Sequence, residues 1–181
     1  MGCEQDHRAV AQRHAAGMVG QTGGMANELP RRPHEVSDEW VFGPDGVKYW
    51  GRFGAAGLLV WHRELGVLLQ KRAIWSHFGG TWGLPGGARK QHESAADGAM
   101  REAFEEATVP LEVLRVIHES VFDAGFWTYT TVIAEAMKPF VPVIADAESD
   151  ELEWVAVDAV VELSLHPGFA ASWPQLRPFL V

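Results

Sequence analysis

Three glutamates in the middle of the chain, Glu102, Glu105 and Glu106, carry its most concentrated chemistry. Their i, i+3 and i+4 spacing predicts that all three carboxylates share one face of a helix, opposite a stripe of alanine and phenylalanine. Like charges so placed repel one another, and Arg101 compensates for them only in part. A bound divalent cation would explain the cluster, and oxygen-only ligands favour Mg²⁺ or Mn²⁺ over zinc. The alternative is an acidic helix face that contacts only solvent.

A loop and a helix must position these glutamates. Residues 79–87 have the sequence Gly-Gly-Thr-Trp-Gly-Leu-Pro-Gly-Gly, which predicts a shaped loop without a regular element. From Ser94 to Ala107 the apolar residues recur at helical spacing, and Ser94 followed by Asp97 is typical of a helix start. The sequence therefore predicts a helix that carries the glutamates directly behind the loop.

The remaining elements form the predicted scaffold. Two Val- and Leu-rich runs, residues 53–61 and 66–72, flank a polar turn and predict a β-hairpin. A closing helix is predicted over 168–180, interrupted by Pro174 and Pro178. Further strands are predicted over 114–122, 126–136 and 152–157. Strands and helices in this mixed order predict an α+β or α/β sandwich.

Composition sets the domain organisation. The 181 residues are 47% hydrophobic and 22% charged, which is typical of one globular domain. Every Trp, Tyr and Phe lies at Trp40 or later, so we expect residues 1–39 to be a mobile tail and residues 40–181 to form the domain. Met25 is an alternative start to Met1.

Charge and hydropathy exclude several partners. The formal net charge of −9 argues against a nucleic-acid polymer, whose binding depends on Lys and Arg. The apolar runs fall well short of the roughly 18 residues that a membrane span needs, and the first twenty residues lack the core of a signal peptide. Cys3 is the single cysteine and permits no internal disulfide. We therefore expect a cytoplasmic protein without a membrane partner.

A longer pattern surrounds the glutamates. Gly87 is followed by five residues, Glu93, seven residues and then Arg-Glu-Ala-Phe-Glu-Glu-Ala-Thr-Val over 101–109. This resembles the Nudix box, Gly-x5-Glu-x7-Arg-Glu-U-x-Glu-Glu-x-Gly-U with U apolar, at eight of its nine defined positions. The departure is Thr108, where the family has a glycine that ends the helix in a left-handed conformation. A β-branched residue adopts that conformation at a cost on the order of 1 kcal/mol.

The resemblance implies a Nudix fold, an α/β/α sandwich around a mixed sheet, and hydrolysis of a nucleoside diphosphate linked to a moiety X. A metal held by carboxylates would neutralise the diphosphate and activate a water. By the resemblance, the Mg²⁺ ligands are Glu102, Glu105, Glu106 and the carbonyl of Gly86. Arg101 and Glu93 would brace the helix against the loop.

The resemblance also requires a general base, which is either a box glutamate or an acid from a later loop. The sequence Glu-Ser-Asp-Glu at 148–151 precedes the strand that contains Trp154. Glu148 is favoured because its distance from Trp154 resembles that of the extra acidic ligand in MutT-type members, and Glu151 is the second choice. The alternative is that this loop is merely polar.

Aromatic residues near the box are the candidates for gripping the substrate, because stacking recognises the face of a base. They are Trp75, His77, Phe78 and Trp82 before the box and Phe126 after it. The alternative for each is packing within the core or a loop. Residues 124–126, Ala-Gly-Phe, lack the Pro and Tyr associated with ADP-ribose and dinucleoside polyphosphate members.

By elimination, the sequence predicts a MutT-like pyrophosphohydrolase that acts on a nucleoside triphosphate, oxidised ones included. The alternatives are an ADP-ribose or nucleotide-sugar pyrophosphatase and a nucleotide sensor that has lost catalysis. An isoprenoid diphosphate isomerase would need a cysteine in the core, which Cys3 does not supply. Monomer and homodimer both stay open.

Overall fold

The computed structural model describes Leu29 and residues 33–180. The rest of the predicted tail and the alternative start at Met25 lie outside the described residues. Nine strands and two α-helices are found within the described part. The strands are β1 (Trp40–Phe42), β2 (Lys48–Trp50), β3 (Ala55–His62), β4 (Gly66–Arg72), β5 (Trp82–Gly83), β6 (Gly86–Ala88), β7 (Leu114–Asp123), β8 (Thr128–Ala136) and β9 (Ser149–Val155). The helices are α1 (Ala95–Ala107) and α2 (Pro167–Leu176).

Strands β3 to β9 form one mixed sheet. Its main path has the order β5-β4-β3-β8-β7, with β6 paired to β3 and β9 paired to β4. β3 and β8 are parallel, while the other pairs in this sheet are antiparallel. The antiparallel β3–β4 pair is the predicted hairpin, which the structure confirms.

The two helices cover opposite faces of this sheet. Along β3, Leu58 and Val60 belong to a buried cluster that also contains the α1 alanines Ala99 and Ala103. The intervening Leu59 belongs to the second cluster, with the aromatic residues of α2. Successive residues of a strand point to opposite faces, so β3 is apolar and buried up to Trp61 because both of its faces are covered. The expected α/β/α sandwich is confirmed.

The glycine-rich loop differs from its prediction. It contains the short strands β5 and β6, so the expectation that it holds no regular element was wrong. Gly86 pairs with Gly57 of β3, and a Cβ at Gly86 would lie 2.5 Å from the carbonyl oxygen of Ala56. Glycine therefore permits β6 to pair closely with β3, whereas the composition of the loop predicted only a turn.

A separate hairpin of β1 and β2 precedes the sheet and was not predicted. Residues just before it also contact the domain, since the carbonyl of Ser37 accepts from the amide of Arg52 at 2.9 Å. Lys90 forms an ion pair of 3.0 Å with Glu35. The boundary at residue 40 stays a prediction. No helix in the described ranges has the length and apolar character that crossing a membrane requires.

Candidate active site

Helix α1 presents the box glutamates, and both of its ends are fixed by capping. Ser94 is the N-cap, and its Oγ accepts from the amide of Asp97 at 3.1 Å, as predicted. At the other end Thr108 is left-handed, with φ 50° and ψ 40°. Its amide donates to Phe104, and its hydroxyl donates to the carbonyl of Val143 at 3.2 Å. The left-handed conformation expected at this position of the box is therefore confirmed.

Two of the three glutamates are buried rather than solvated. Glu102 is 6% exposed and Glu106 is 2% exposed, whereas Phe104 is 54% exposed. The expected apolar stripe of alanine and phenylalanine opposite the acids was therefore wrong as regards Phe104. The reason is the glycine-rich loop, whose missing side chains let the helix approach and bury its carboxylates. A Cβ at Gly87 would lie 2.8 Å from the Glu102 carboxylate, and the amide of Gly86 donates to Glu106 at 3.0 Å.

Arg101 links the helix to the residues before it. Its Nε and Nη2 donate to the two carboxylate oxygens of Glu93 at 2.8 and 2.9 Å, a bidentate pair. Its Nη1 donates to Glu102 at 2.7 Å and to Glu105 at 3.2 Å, and Nη2 also donates to the carbonyl of Ala88. The hydrogen bond from Arg101 has the largest effect and lowers the pKa of Glu93; burial opposes it, and the backbone hydrogen bond from Lys90 adds a smaller lowering.

The donor set of α1 fits a hard divalent cation by its chemistry. Glu102, Glu105 and Glu106 offer carboxylate oxygens within two turns of one helix, beside the backbone of Gly86. Burying carboxylates costs free energy unless a cation or hydrogen bonds compensate. Among the described residues, however, no three His, Cys, Asp or Glu side chains converge as a metal-holding group. One carboxylate oxygen of Glu102 and one of Glu105 accept from Arg101, so a metal ion would compete with this arginine for those two oxygens.

The two candidates for the general base lie in different surroundings. Glu151 forms an ion pair of 2.6 Å with Lys71 on the neighbouring strand β4. Glu148 lies in the loop before β9, where its amide donates to the side chain of Asp146 at 3.0 Å. The same loop contacts the end of α1, because the amide of Ala145 donates to the carbonyl of Glu106 at 3.0 Å. The loop that contains Glu148 is thus joined to the end of α1, whereas the carboxylate of Glu151 is paired with Lys71.

His77 and Phe78 belong to a series of aromatic contacts beside the loop. The ring of His77 lies 5.0 Å from Trp40 and 4.1 Å from Phe78, and Phe78 lies 4.8 Å from His166. Burial, with smaller effects from Arg72 and His77, lowers the pKa of His166 to about 4. Burial and the charges of Lys48 and Arg72 also lower the pKa of His77. Both imidazoles are therefore held neutral near pH 7.

The other three aromatic candidates occupy different positions. Trp82 is 8% exposed and belongs to the core cluster on the α2 side, so packing accounts for it. Trp75 and Phe126 are exposed by 52% and 44%, and they lie in the loops after β4 and after β7. Phe126 contacts Tyr49 of the β1–β2 hairpin at 5.5 Å. Trp82 is therefore a core residue, whereas Trp75 and Phe126 are exposed and stay candidates for contacting a substrate.

Arg72 and Tyr129 are further candidate site residues that were not predicted from the sequence. Arg72 ends β4, and its Nε donates to the carbonyl of His77 at 3.0 Å. Burial raises the pKa of Tyr129 to about 12, while Arg72 lowers it and Glu106 raises it by smaller amounts. Tyr129 therefore lies within electrostatic reach of both Arg72 and the box. Arg72 could have been found in the sequence, because it is a cation at the end of the strand predicted over 66–72, immediately before the loop that leads to the box.

Comparison with known proteins assigns the class of this molecule. The NUDIX domain profile matches residues 51–176, which include the sheet, α1 and most of the contacts described above. The chain belongs to the Nudix family, and the resemblance inferred from the box is confirmed.

Relatives in sequence and structure make the chain a hydrolase. A Mycobacterium tuberculosis protein named "Putative 8-oxo-dGTP diphosphatase 3" is 52% identical over 150 residues, covering 77% of this chain and 69% of the relative. A Bifidobacterium longum nucleoside triphosphate pyrophosphatase/Nudix hydrolase fusion protein is 40% identical and covers 78% of this chain but 31% of the relative. The crystal structure of the Nudix hydrolase RenU from M. smegmatis shares 50% identity with a TM-score of 0.72, covering 78% of this chain and 93% of RenU.

Proposed function

We propose that the chain is a Mg²⁺-dependent pyrophosphohydrolase that converts a nucleoside triphosphate, oxidised guanine nucleotides included, to the monophosphate and pyrophosphate. The observation that carries this proposal is the pair of buried carboxylates, Glu102 and Glu106, against the glycines of the loop. The similarity to a relative named for 8-oxo-dGTP diphosphatase activity supports the substrate class.

Each residue of the box then has a defined task. Glu102, Glu105 and Glu106, with the carbonyl of Gly86, would hold Mg²⁺; Mn²⁺ suits the same oxygens. When bound, the metal supplies positive charge to the diphosphate and lowers the pKa of a water. The bidentate contact between Arg101 and Glu93 fixes α1 against the backbone at Ala88, so the carboxylates keep their orientation.

The proton of the attacking water needs an acceptor, and Glu148 is our candidate. Its loop is held at both ends, by Ala145 on the end of α1 and by the carbonyl of Glu148 itself, which accepts from Ala73 at 2.8 Å. Glu151 is less suitable because its carboxylate contacts Lys71. An ion pair with lysine favours the charged carboxylate and so weakens it as a base.

The substrate would lie between the box and the loop that carries His77 and Phe78. Arg72 is the cation that approaches both Tyr129 and His77, which suits it to a phosphate oxygen. The exposed rings of Trp75, Phe78 and Phe126 offer faces for a nucleobase. His77 is neutral, so it would contact the ligand as a hydrogen-bonding group rather than as a cation.

Hydrolysis assays test this proposal. Purified protein with Mg²⁺ is given dGTP, 8-oxo-dGTP and ADP-ribose, and the products are separated. We expect nucleoside monophosphate and pyrophosphate, and we expect the variants Glu102→Gln and Glu105→Gln to lose turnover while remaining folded at the assay temperature. Glu148→Gln should slow turnover at least about tenfold, as expected for loss of a general base.

Other outcomes would replace the proposal. AMP and ribose 5-phosphate from ADP-ribose, with no turnover of the triphosphates, would assign the chain to the ADP-ribose class. A nucleotide that raises the melting temperature without being hydrolysed would indicate a sensor. Unchanged rates in Glu102→Gln would refute the metal assignment.

A further inference from the structure

The β1–β2 hairpin lies outside the part of the chain matched by the family profile, which begins at residue 51. Its two strands pair with each other and with no strand of the seven-stranded sheet. A two-stranded hairpin is only marginally stable alone in water, so its position depends on what it packs against.

The hairpin packs between the two loops that flank the candidate site. Trp40 contacts His77 in the loop after β4, at 5.0 Å between ring centroids. Tyr49 contacts Phe126 at 5.5 Å and Trp127 at 4.8 Å, both in the loop after β7. Trp40 pairs with Trp50 across the hairpin, so Trp40 and Tyr49 lie on opposite faces of it. One face therefore meets one loop, and the other face meets the second loop.

The face that meets His77 also carries a lysine. Lys48 is two residues before Trp50 on the same strand, so it shares a face with Trp50 and Trp40. Its ammonium group lies 4.6 Å from the centroid of the Trp40 ring, which is a favourable cation–π distance. Lys48 thus has a preferred position beside His77 although its side chain is exposed.

Lys48 and Arg72 approach His77 from different elements. Arg72 donates to the carbonyl of His77 at 3.0 Å, and both cations lower the pKa of its imidazole. Within the part of the chain that the structure describes, neither cation forms an ion pair with a carboxylate. In a chain of net charge −9, two neighbouring cations without carboxylate partners are suited to an anionic ligand.

We propose that Lys48 binds the phosphate chain of the substrate together with Arg72. The inference rests on the proposed function, because it assumes that the phosphates lie between the box and His77. Arg72 would then contact the phosphates nearer to Tyr129 and Glu106, and Lys48 would contact the phosphates nearer to the hairpin.

Steady-state kinetics with dGTP test the proposal in four proteins: wild type, Lys48→Met, Lys48→Arg and Lys138→Met. Lys138 is exposed and lies two residues after Ala136, the last residue of β8, at the end of that strand opposite to the hairpin contact at Trp127. Its replacement therefore changes the net charge by the same amount at a position remote from the hairpin. We expect Lys48→Met to raise KM about tenfold with kcat within about twofold, because a hydrogen bond to a charged group is lost. Lys48→Arg should restore KM, and Lys138→Met should not change it.

A binding measurement separates this inference from the proposed function. Calorimetric titration with inorganic tripolyphosphate, in the presence of Mg²⁺, compares Glu105→Gln with the double variant that adds Lys48→Met. A roughly tenfold weaker affinity in the double variant supports Lys48 even if the wild type turns over no nucleotide, a result that would defeat only the proposed function. An unchanged affinity, or an equal KM increase in Lys138→Met, would overturn the role of Lys48.

Discussion

Replacement of Arg101 by methionine tests whether the box is held together by one side chain. Arg101 contacts three carboxylates, and the side chains of Arg101, Glu93 and Glu102 are 20%, 14% and 8% exposed. Breaking a buried ion pair by removing one partner costs about 3–5 kcal/mol, because the remaining charge stays buried. The partial exposure of the arginine puts the expected loss near the lower end, about 3 kcal/mol at pH 7.

The loss should depend on pH in a defined direction. Arg101 lowers the pKa of Glu93 below its ordinary 4.5. A carboxyl whose pKa is lower in the folded state contributes stability above its unfolded pKa, and this stability is lost as the pH falls through the folded pKa. The difference between wild type and Arg101→Met should therefore be largest above about pH 5 and should narrow at lower pH.

Urea denaturation between pH 7 and pH 3.5 measures the free energy of unfolding. Arg52→Met is the matched control, because Arg52 pairs with Glu39 at 3.2 Å but both side chains are more than half exposed. An exposed pair contributes only about 0–1 kcal/mol. The reasoning is refuted if Arg101→Met loses no more than Arg52→Met, or if its loss is the same at every pH.

Three further substitutions address single features of the structure. The pKa of His166 is lowered to about 4, so the unfolded state binds more protons than the folded state between about pH 4 and 6.5. The free energy of unfolding should therefore rise with pH over this range. His166→Asn retains a side chain that can cap α2 and should flatten this slope in denaturation experiments. Thr108→Asn should raise the free energy of unfolding by about 0.5 kcal/mol, because asparagine tolerates the left-handed conformation. This gain exceeds the loss of the exposed hydrogen bond to Val143. Thr108→Ala should instead lower the free energy of unfolding. Gly87→Ala places a Cβ 2.8 Å from the carboxylate of Glu102 and should reduce kcat with little change in melting temperature; wild-type kcat would show that the position of Glu102 does not matter.

Local signals predicted the helix that carries the site. The apolar spacing of α1 and the capping pattern at Ser94 depend on neighbouring residues, and both were confirmed. The left-handed Thr108 followed from the glycine that the box places there, a rule of backbone geometry. The sandwich followed from alternating strands and helices, since each must bury an apolar face.

The missed features depend on distant parts of the chain. The burial of Glu102 and Glu106 arises from the approach of β6, which helical periodicity does not report. β1 and β2 have three residues each, too few for an alternating pattern to stand out. Arg72 of β4 and Tyr129 of β8 lie on the two strands that flank β3, so their electrostatic interaction depends on the pairing of strands that are distant in sequence.

The pairing of β3 with β8 and of β4 with β9 joins strands that are far apart in the sequence, and this affects folding during synthesis. Leu58 of β3 lies opposite Val132 of β8, and Gln70 of β4 donates to Ser149 of β9 across 79 positions of sequence. While the chain is being synthesised, β3 and β4 therefore emerge long before β8 and β9, the partners on their outer sides, and carry uncovered apolar faces. Closing such long loops slows folding. We expect stable structure to form only after β9 has left the ribosome, so truncation before Ser149 should give insoluble protein rather than a smaller folded domain.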